Sequence, residues 1–180
     1  MDTAQRAFAP SQYGDDWFQK KIMAESLEWV PSLEQIESGL TDPHPIVRAA
    51  WAKRPSIRYT REQIERGLTD CNGIVRKAWA DRRDFMPSPE QVERGLCDES
   101  GDVQLSWSNN YNYASNQRMA ELGMRSAYVQ VRLAWARRRD WTPTTAHIIR
   151  GLGDKSQAVR EAWKKRVEHN SEVDNIMMSA

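Results

Sequence analysis

Residues 62–82 read EQIERGLTDCNGIVRKAWADR, and residues 34–54, 28 positions earlier, read EQIESGLTDPHPIVRAAWAKR. The register continues with EQVERGLCDESGDVQLSWSNN at 90–110, RMAELGMRSAYVQVRLAWARR at 118–138 and AHIIRGLGDKSQAVREAWKKR at 146–166. Two residue types recur at this spacing without insertion or deletion, namely Trp51, Trp79, Trp107, Trp135 and Trp163, and Gly39, Gly67, Gly95, Gly123 and Gly151. Self-similarity at a fixed period indicates a repeat protein.

Each unit contains two helix signatures. N-cap residues of the first helix are expected at Ser32, Thr60, Ser88, Asn116 and Thr144. In the first three units a glutamine follows three residues later, as in a capping box: Gln35, Gln63 and Gln91. Caps for the second helix are expected at Asp42, Asp70, Asp98, Ser126 and Asp154. Val47, Ala50, Trp51 and Arg54 then share one helical face, which predicts that this face packs inward.

Helices this short are not stable alone, so each unit has to bury its apolar stripe against its neighbours. The sequence therefore predicts an all-α protein, a right-handed α-solenoid of five helix–turn–helix repeats with an N-terminal helical cap. We expect the cap in residues 1–31, the five repeats in residues 32–166 and a C-terminal tail in residues 167–180.

The stretch from Asp42 to Ala50, DPHPIVRAA, resembles the start of the second helix in HEAT repeats, and equally that in leucine-rich-variant repeats. Units of 28 residues are shorter than usual HEAT units and longer than leucine-rich-variant ones. The resemblance implies partner binding along the surface of the stack. It also implies a ladder between neighbouring units, formed by Asp42, Asp70, Asp98 and Asp154 with Arg48, Arg76, Arg132 and Arg160. Ser126 and Gln104 interrupt the two sides of that ladder.

The composition excludes several classes of protein. Hydrophobic residues make up 39% of the chain and charged residues 28%, a balance that suits a thin, elongated molecule. No apolar run reaches the length of a membrane span or a signal peptide, so we expect a soluble, cytoplasmic protein. Cys71 and Cys97 are expected to be free thiols. No catalytic, metal-binding or phosphate-binding motif is found, which predicts no enzyme activity, no metal and no cofactor.

Basic residues recur at the end of the second helix, and acidic residues on the first. The basic clusters include Lys53 and Arg54, Arg82 and Arg83, Arg137, Arg138 and Arg139, and Lys164, Lys165 and Arg166. These clusters, here called the basic edge, could bind a phosphate backbone or an acidic protein surface. They could also simply complement the helix dipole. The recurring tryptophan could likewise be a binding platform, but its place beside Val and Ala favours core packing.

The third repeat departs from the basic pattern. It places Asn109, Asn110, Tyr111, Asn112 and Tyr113, here called the Asn–Tyr segment, where other repeats are basic. Asn and Tyr combine adaptable hydrogen bonding with rigid aromatic area, which is typical of recognition surfaces. We therefore predict a partner-binding site made of this segment and the flanking Arg82, Arg83, Arg137, Arg138 and Arg139.

These observations favour a non-catalytic scaffold, adaptor or inhibitor that binds a protein partner. The alternative is a nucleic-acid-binding protein that uses the basic edge, and a HEAT-like DNA glycosylase is a further possibility. The sequence does not identify the partner or the pathway, and it leaves open whether the chain self-associates through its C-terminal tail.

Overall fold

The computed structural model describes residues 17–178, with side chains described through residue 169. Every regular element in that range is an α-helix and none is a strand, which confirms the all-α prediction. The helices are α1 (Trp17–Glu25), α2 (Leu33–Leu40), α3 (Pro45–Lys53), α4 (Arg61–Leu68), α5 (Gly73–Ala80), α6 (Pro89–Leu96), α7 (Gly101–Ser108), α8 (Gln117–Arg125), α9 (Val129–Arg137), α10 (Thr145–Leu152) and α11 (Gln157–Met178).

The first helix of each repeat begins at its predicted N-cap. The hydroxyls of Ser32, Thr60 and Ser88 accept hydrogen bonds from the backbone N–H three residues later, and the glutamine there returns the bond. Thr144 makes the same reciprocal pair with His147, a capping box that the sequence pattern did not predict. Asn116 caps α8 with its side chain. These bonds satisfy backbone donors that a short helix would otherwise leave open.

The predicted caps of the second helix are wrong by two residues. His44, Asn72, Ser100 and Tyr128 occupy the N-cap positions of α3, α5, α7 and α9. The preceding aspartate instead accepts a hydrogen bond from the N-cap residue's backbone N–H, as Asp70 Oδ1 does from Asn72 at 2.8 Å. Aspartate favours this local turn, because its carboxylate reaches a backbone N–H two residues on. The aspartate therefore shapes the turn between the helices and does not cap the second one.

The chain forms two compact units, Met1–Arg82 and Arg83–Ala180. In the first unit, α3 packs against α1, α2 and α5, and α4 packs against α5. In the second, α9 packs against α7, α8 and α11, while α6 contacts both α7 and α8, and α10 packs against α11. Helices thus contact their neighbours in chain order within each unit, which is the packing of an α-solenoid.

The ends of the repeat series differ from its interior. Helix α1 lies in register with the later second helices, since Lys20 stands 28 residues before Arg48 and Met23 stands 28 residues before Trp51. Helix α1 lies within residues 1–31, where a cap is predicted, and residues 1–16 lie outside the described residues. Helix α11 continues without a break to Met178, through most of the predicted tail, and residues 179–180 are not described.

Candidate functional site

The recurring tryptophan is the core of each repeat and is not a surface platform. All five indoles are at most 1% exposed, which confirms the packing interpretation. Each lies against the recurring glycine of its own repeat, so closely that a Cβ added at Gly67 would lie 1.9 Å from Nε1 of Trp79. Glycine is required at this position because the indole occupies the space of a side chain. The sequence shows that the glycine recurs, but it does not show that the indole of the same repeat packs against it.

The arginine at the end of the second helix is also buried, as its place on the inward face predicted and contrary to its assignment to the basic edge. Arg54, Arg82, Arg138 and Arg166 are between 0% and 7% exposed. Each guanidinium donates to backbone carbonyls at the end of the preceding second helix. Arg138 Nη1, for example, bonds the carbonyls of Ser108 at 2.9 Å and Asn110 at 2.7 Å. A helix end leaves several carbonyls without partners, and this arginine supplies donors for them.

Aromatic rings cover these buried guanidinium groups. Arg82 Cζ lies 4.5 Å from the ring centroid of Tyr59, and Arg166 Cζ lies 4.5 Å from that of Trp141. Burial lowers the pKa of Arg166 to about 10, so the group stays charged at neutral pH. A charged guanidinium in this setting is stabilised by the ring faces as well as by the carbonyls. Trp141, which is 8% exposed, therefore closes its repeat and does not project outward.

The predicted Asp–Arg ladder is present at two steps where both partners lie in one unit. Arg48 holds Asp70 through Nε at 2.7 Å and Nη2 at 2.8 Å, and Arg132 holds Asp154 through the same two atoms at 2.7 and 3.0 Å. Lys20 of α1 extends the series by pairing with Asp42 at 3.2 Å. These bidentate ion pairs are partly buried, so solvent and salt screen them less than exposed pairs.

Between the third and fourth repeats, a hydrogen bond between uncharged side chains replaces the ion pair. Ser126 donates its hydroxyl to Gln104 Oε1 at 2.6 Å, at the positions of the aspartate and the arginine. Gln104 Nε2 also bonds the carbonyl of Asp98 at 2.6 Å, as the arginines bond their own turns. The two departures noted in the sequence therefore compensate each other. They preserve a buried contact between repeats without charge.

We expect the ladder to make stability depend on pH. The hydrogen bonds from Arg132 hold the pKa of Asp154 below its ordinary value, despite partial burial. A lowered pKa contributes stability above the unfolded value of about 3.9, and that contribution is lost as pH falls through the folded value. Asp154→Asn should lower the free energy of unfolding by about 1–3 kcal/mol at pH 7. Denaturant titrations at several pH values should show this difference shrinking as the pH falls below the unfolded value of about 3.9.

Glu168→Gln, at an exposed carboxylate, is the control for that series and should change stability little at any pH. A deficit in the Asp154→Asn variant that does not shrink as the pH falls below about 3.9 would show that the ladder carboxylate contributes no ionic stabilisation.

The Asn–Tyr segment divides into a buried and an exposed part. Asn110 is fully buried, and its Oδ1 accepts the backbone N–H of Asn112 at 2.8 Å. Tyr113 is 8% exposed and donates its hydroxyl to the carbonyl of Trp107 at 2.7 Å. Burial raises the pKa of this phenol well above its ordinary value, so it remains a donor. Tyr111, in contrast, is 62% exposed.

Tyr111 is nevertheless held in place. The guanidinium carbon of Arg138 lies 4.4 Å from the ring centroid of Tyr111 and 4.6 Å from that of Tyr113. Arg138 therefore contacts both rings, and its own position is fixed by two hydrogen bonds to Asp140, at 2.8 and 2.7 Å. An exposed aromatic side chain whose position is already fixed by a neighbouring residue loses little conformational entropy when a partner covers it.

An open groove of about 610 Å³ lies between the Asn–Tyr segment and the linker that precedes α6. Its lining residues are Arg83, Asp84, Phe85, Met86, Tyr111, Asn112, Tyr113 and Ala114. The two walls are joined by hydrogen bonds. Asn112 Nδ2 donates to the carbonyls of Arg83 and Phe85, and Arg83 Nη2 donates to the carbonyl of Asn109 at 3.0 Å. Met86 is 87% exposed at the rim.

The ten residues of the predicted site fall into two groups. The side chains of Arg82, Arg138, Asn110 and Tyr113 are buried and hold the repeats together, while Asn109, Tyr111, Arg83, Arg137 and Arg139 are exposed and Asn112 is half-buried. The groove brings together Arg83, Tyr111, Asn112 and Tyr113. Sequence reasoning missed Met86 as a lining residue. Its place next to Phe85 in the linker was the only signal.

Two searches of the described residues give negative findings. No cluster of three or more His, Cys, Asp or Glu side chains in this part of the chain is arranged to hold a metal ion. Among the same residues, no helix combines the length and apolar character needed to cross a membrane. Cys71 and Cys97 are free and exposed, as predicted.

Comparison with known proteins agrees with the repeat architecture. A family model described as a HEAT repeat associated with sister chromatid cohesion matches residues 33–50, which include α2 and the first residues of α3. No curated protein and no solved structure matches the chain. Together with the eleven consecutive helices of residues 17–178, this match supports a HEAT-like helical repeat architecture.

Proposed function

We propose that the chain is a non-catalytic scaffold, adaptor or inhibitor that binds a protein partner through the groove between the Asn–Tyr segment and the linker of residues 83–86. The observation that carries this proposal is the exposure of Tyr111 and Met86 on a framework whose other members are hydrogen-bonded to each other. Tyr, Met and Arg are enriched in protein interfaces, and all three line this groove.

Packing within the chain does not explain the exposed part of the groove. Tyr113 at the same site is buried and makes a core hydrogen bond, whereas Tyr111 leaves most of its ring in solvent. Oriented aromatic side chains of this kind often dominate binding energy, because they bury a large area at a small entropic cost. HEAT-like repeats also present such surfaces on a rigid framework.

Tyr111→Ala is expected to weaken partner binding by about 1–4 kcal/mol, because it removes an exposed aromatic side chain that lines the groove. Met86→Ala should weaken binding less, since the side chain lies at the rim. Titration calorimetry with a purified partner measures both changes. Neither variant should reduce the free energy of unfolding by more than about 1 kcal/mol, because both side chains are exposed.

The control is Ile74→Ala, which truncates another exposed apolar side chain that does not line the groove. It should bind the partner with wild-type affinity. Wild-type affinity in a Tyr111→Ala, Met86→Ala double variant would eliminate the groove as the binding site. Tyr113→Ala is not a suitable test, since its loss would disturb the core.

The second candidate function is nucleic-acid binding through the basic edge. Arg83, Arg137 and Arg139 remain exposed on that edge, but four of its arginines are buried. The two candidates differ in salt response. A phosphate-backbone complex loses affinity log-linearly with salt, whereas a protein interface centred on Tyr111 changes little. The absence of catalytic activity, the lack of a cofactor and a cytoplasmic location remain predictions from the sequence.

A further inference from the structure

The last repeat leaves partly exposed a leucine whose counterparts in the other repeats are buried. Leucine or methionine follows the recurring glycine in every repeat, and at Leu40, Leu68, Leu96 and Met124 it is between 2% and 7% exposed. Leu152 occupies the same position in the last repeat and is 38% exposed. Helix α11 runs straight on to Met178. Helix α11, which packs against α10, leaves this leucine partly exposed.

Arg160 lies beside this position and is oriented like the ladder arginines. Its Nη1 donates to the carbonyls of Asp154 at 2.7 Å and Lys155 at 3.0 Å. Arg132 makes the matching bonds to Ser126 at 2.9 Å and Ala127 at 3.1 Å, and it uses Nε and Nη2 for Asp154. In the part of the chain that the structure describes, Nε and Nη2 of Arg160 have no such carboxylate.

The contact between the first and second repeats shows how the corresponding leucine and arginine are covered. Leu40 and Arg48 lie around a small cavity with Gly67, Asp70 and Val75 of the next repeat. Arg48 holds the carboxylate with two hydrogen bonds there, and the leucine is covered. Leu152 and Arg160 present the same apolar and cationic pair to solvent. A guanidinium already fixed by its own turn loses little freedom when it binds a carboxylate.

We infer that this end, formed by Leu152 and Arg160, is a second docking surface, which binds a helix–turn of a partner protein with an aspartate for Arg160 and a small or aliphatic face for Leu152. A turn of the Gly-Leu-x-Asp type found in this chain's own repeats has that chemistry. A second copy of the chain does not readily supply it, because Asp42, Asp70 and Asp154 already hold Lys20, Arg48 and Arg132. The inference is independent of the groove at Tyr111.

A synthetic, fluorescently labelled peptide of residues 60–82 tests this surface, since it carries the Asp70 turn without its Arg48 partner. A staple in each helix keeps the pair helical, because helices this short are not stable alone. Titration of the full-length protein should give saturable binding that Arg160→Gln weakens by about 10–100-fold, as expected for a hydrogen bond to a charged group. Peptide Asp70→Asn should weaken binding to the same extent. An Asp70→Arg peptide should recover affinity for an Arg160→Asp protein.

Arg137→Gln is the matched control, because it removes an exposed arginine elsewhere and should leave peptide affinity unchanged. Leu152→Ala provides a second variant that keeps the charge and should also weaken binding. Equal affinity of wild-type and Arg160→Gln proteins, or no binding by the wild type, would overturn the inference. Sedimentation showing a wild-type dimer that Arg160→Gln dissociates would overturn the assignment to a separate partner protein.

Discussion

Replacing Trp79 by alanine is expected to lower the free energy of unfolding by about 3–5 kcal/mol, the usual cost of removing a large buried aromatic side chain. The indole is 1% exposed, and the ring of Tyr59 meets it edge to face with centroids 4.8 Å apart. Its removal leaves a cavity that the hydrogen-bonded helices around it cannot close. Urea unfolding followed by circular dichroism measures the loss, with the exposed Ile74→Ala as control.

A double-mutant cycle with Gly67 tests the pairing itself. In the wild type, Gly67→Ala should destabilise the protein, because the new methyl group would lie 1.9 Å from Nε1 of Trp79. In the Trp79→Ala background the space is open, and the same substitution should stabilise by up to about 1 kcal/mol through helix propensity. The same destabilisation in both backgrounds would show that the indole is not what requires glycine.

Arg138→Met is expected to destabilise the protein by about 3–5 kcal/mol, even though arginine is usually a surface residue. The substitution keeps most of the side-chain volume but removes the donors to the carbonyls of Ser108 and Asn110 and the ion pair with Asp140. Buried acceptors left without donors cost about 1–3 kcal/mol each. Denaturant unfolding at neutral pH measures the change.

The neighbours of Arg138 provide matched controls. Arg137 and Arg139 are exposed, so Arg137→Met and Arg139→Met should each change stability by less than about 0.5 kcal/mol. A loss for Arg138→Met no larger than that of its neighbours would contradict the structural role given to the arginine at the end of the second helix.

The sequence predicted the repeat, its helix pairs and its tryptophan core, because these depend on local capping and on a face that recurs at a fixed spacing. The resemblance to HEAT repeats also implied a ladder between neighbouring units, and two pairs of its members, Arg48 with Asp70 and Arg132 with Asp154, form ion pairs. The repeat, the helix pairs and the tryptophan core can be predicted from the spacing of residues along the chain. They require no knowledge of how one turn lies against the next, whereas the ladder came from the resemblance.

The candidate site was less accessible from the sequence. Arg82 and Arg138 look like surface charges in a linear pattern, since nothing local shows that carbonyls of the preceding repeat surround them. Tyr111 and Tyr113 are equivalent in composition, yet one is exposed and the other buried. Gln104 and Ser126 look like independent losses until the structure shows their hydrogen bond. Each of these distinctions depends on contacts between residues at least 22 positions apart or on side-chain direction.

The proposed binding function is tested most directly by affinity capture from the native cell at about 150 mM salt, an ionic strength that screens exposed charges beyond roughly 8 Å. Nuclease-treated extract would be passed over immobilised wild-type, Tyr111→Ala and Ile74→Ala proteins. We predict a discrete protein that the wild type and Ile74→Ala retain and Tyr111→Ala does not. Retention of the same protein by Tyr111→Ala would contradict the proposed protein-binding groove. Retention by all three proteins from untreated extract, but by none from nuclease-treated extract, would contradict it as well.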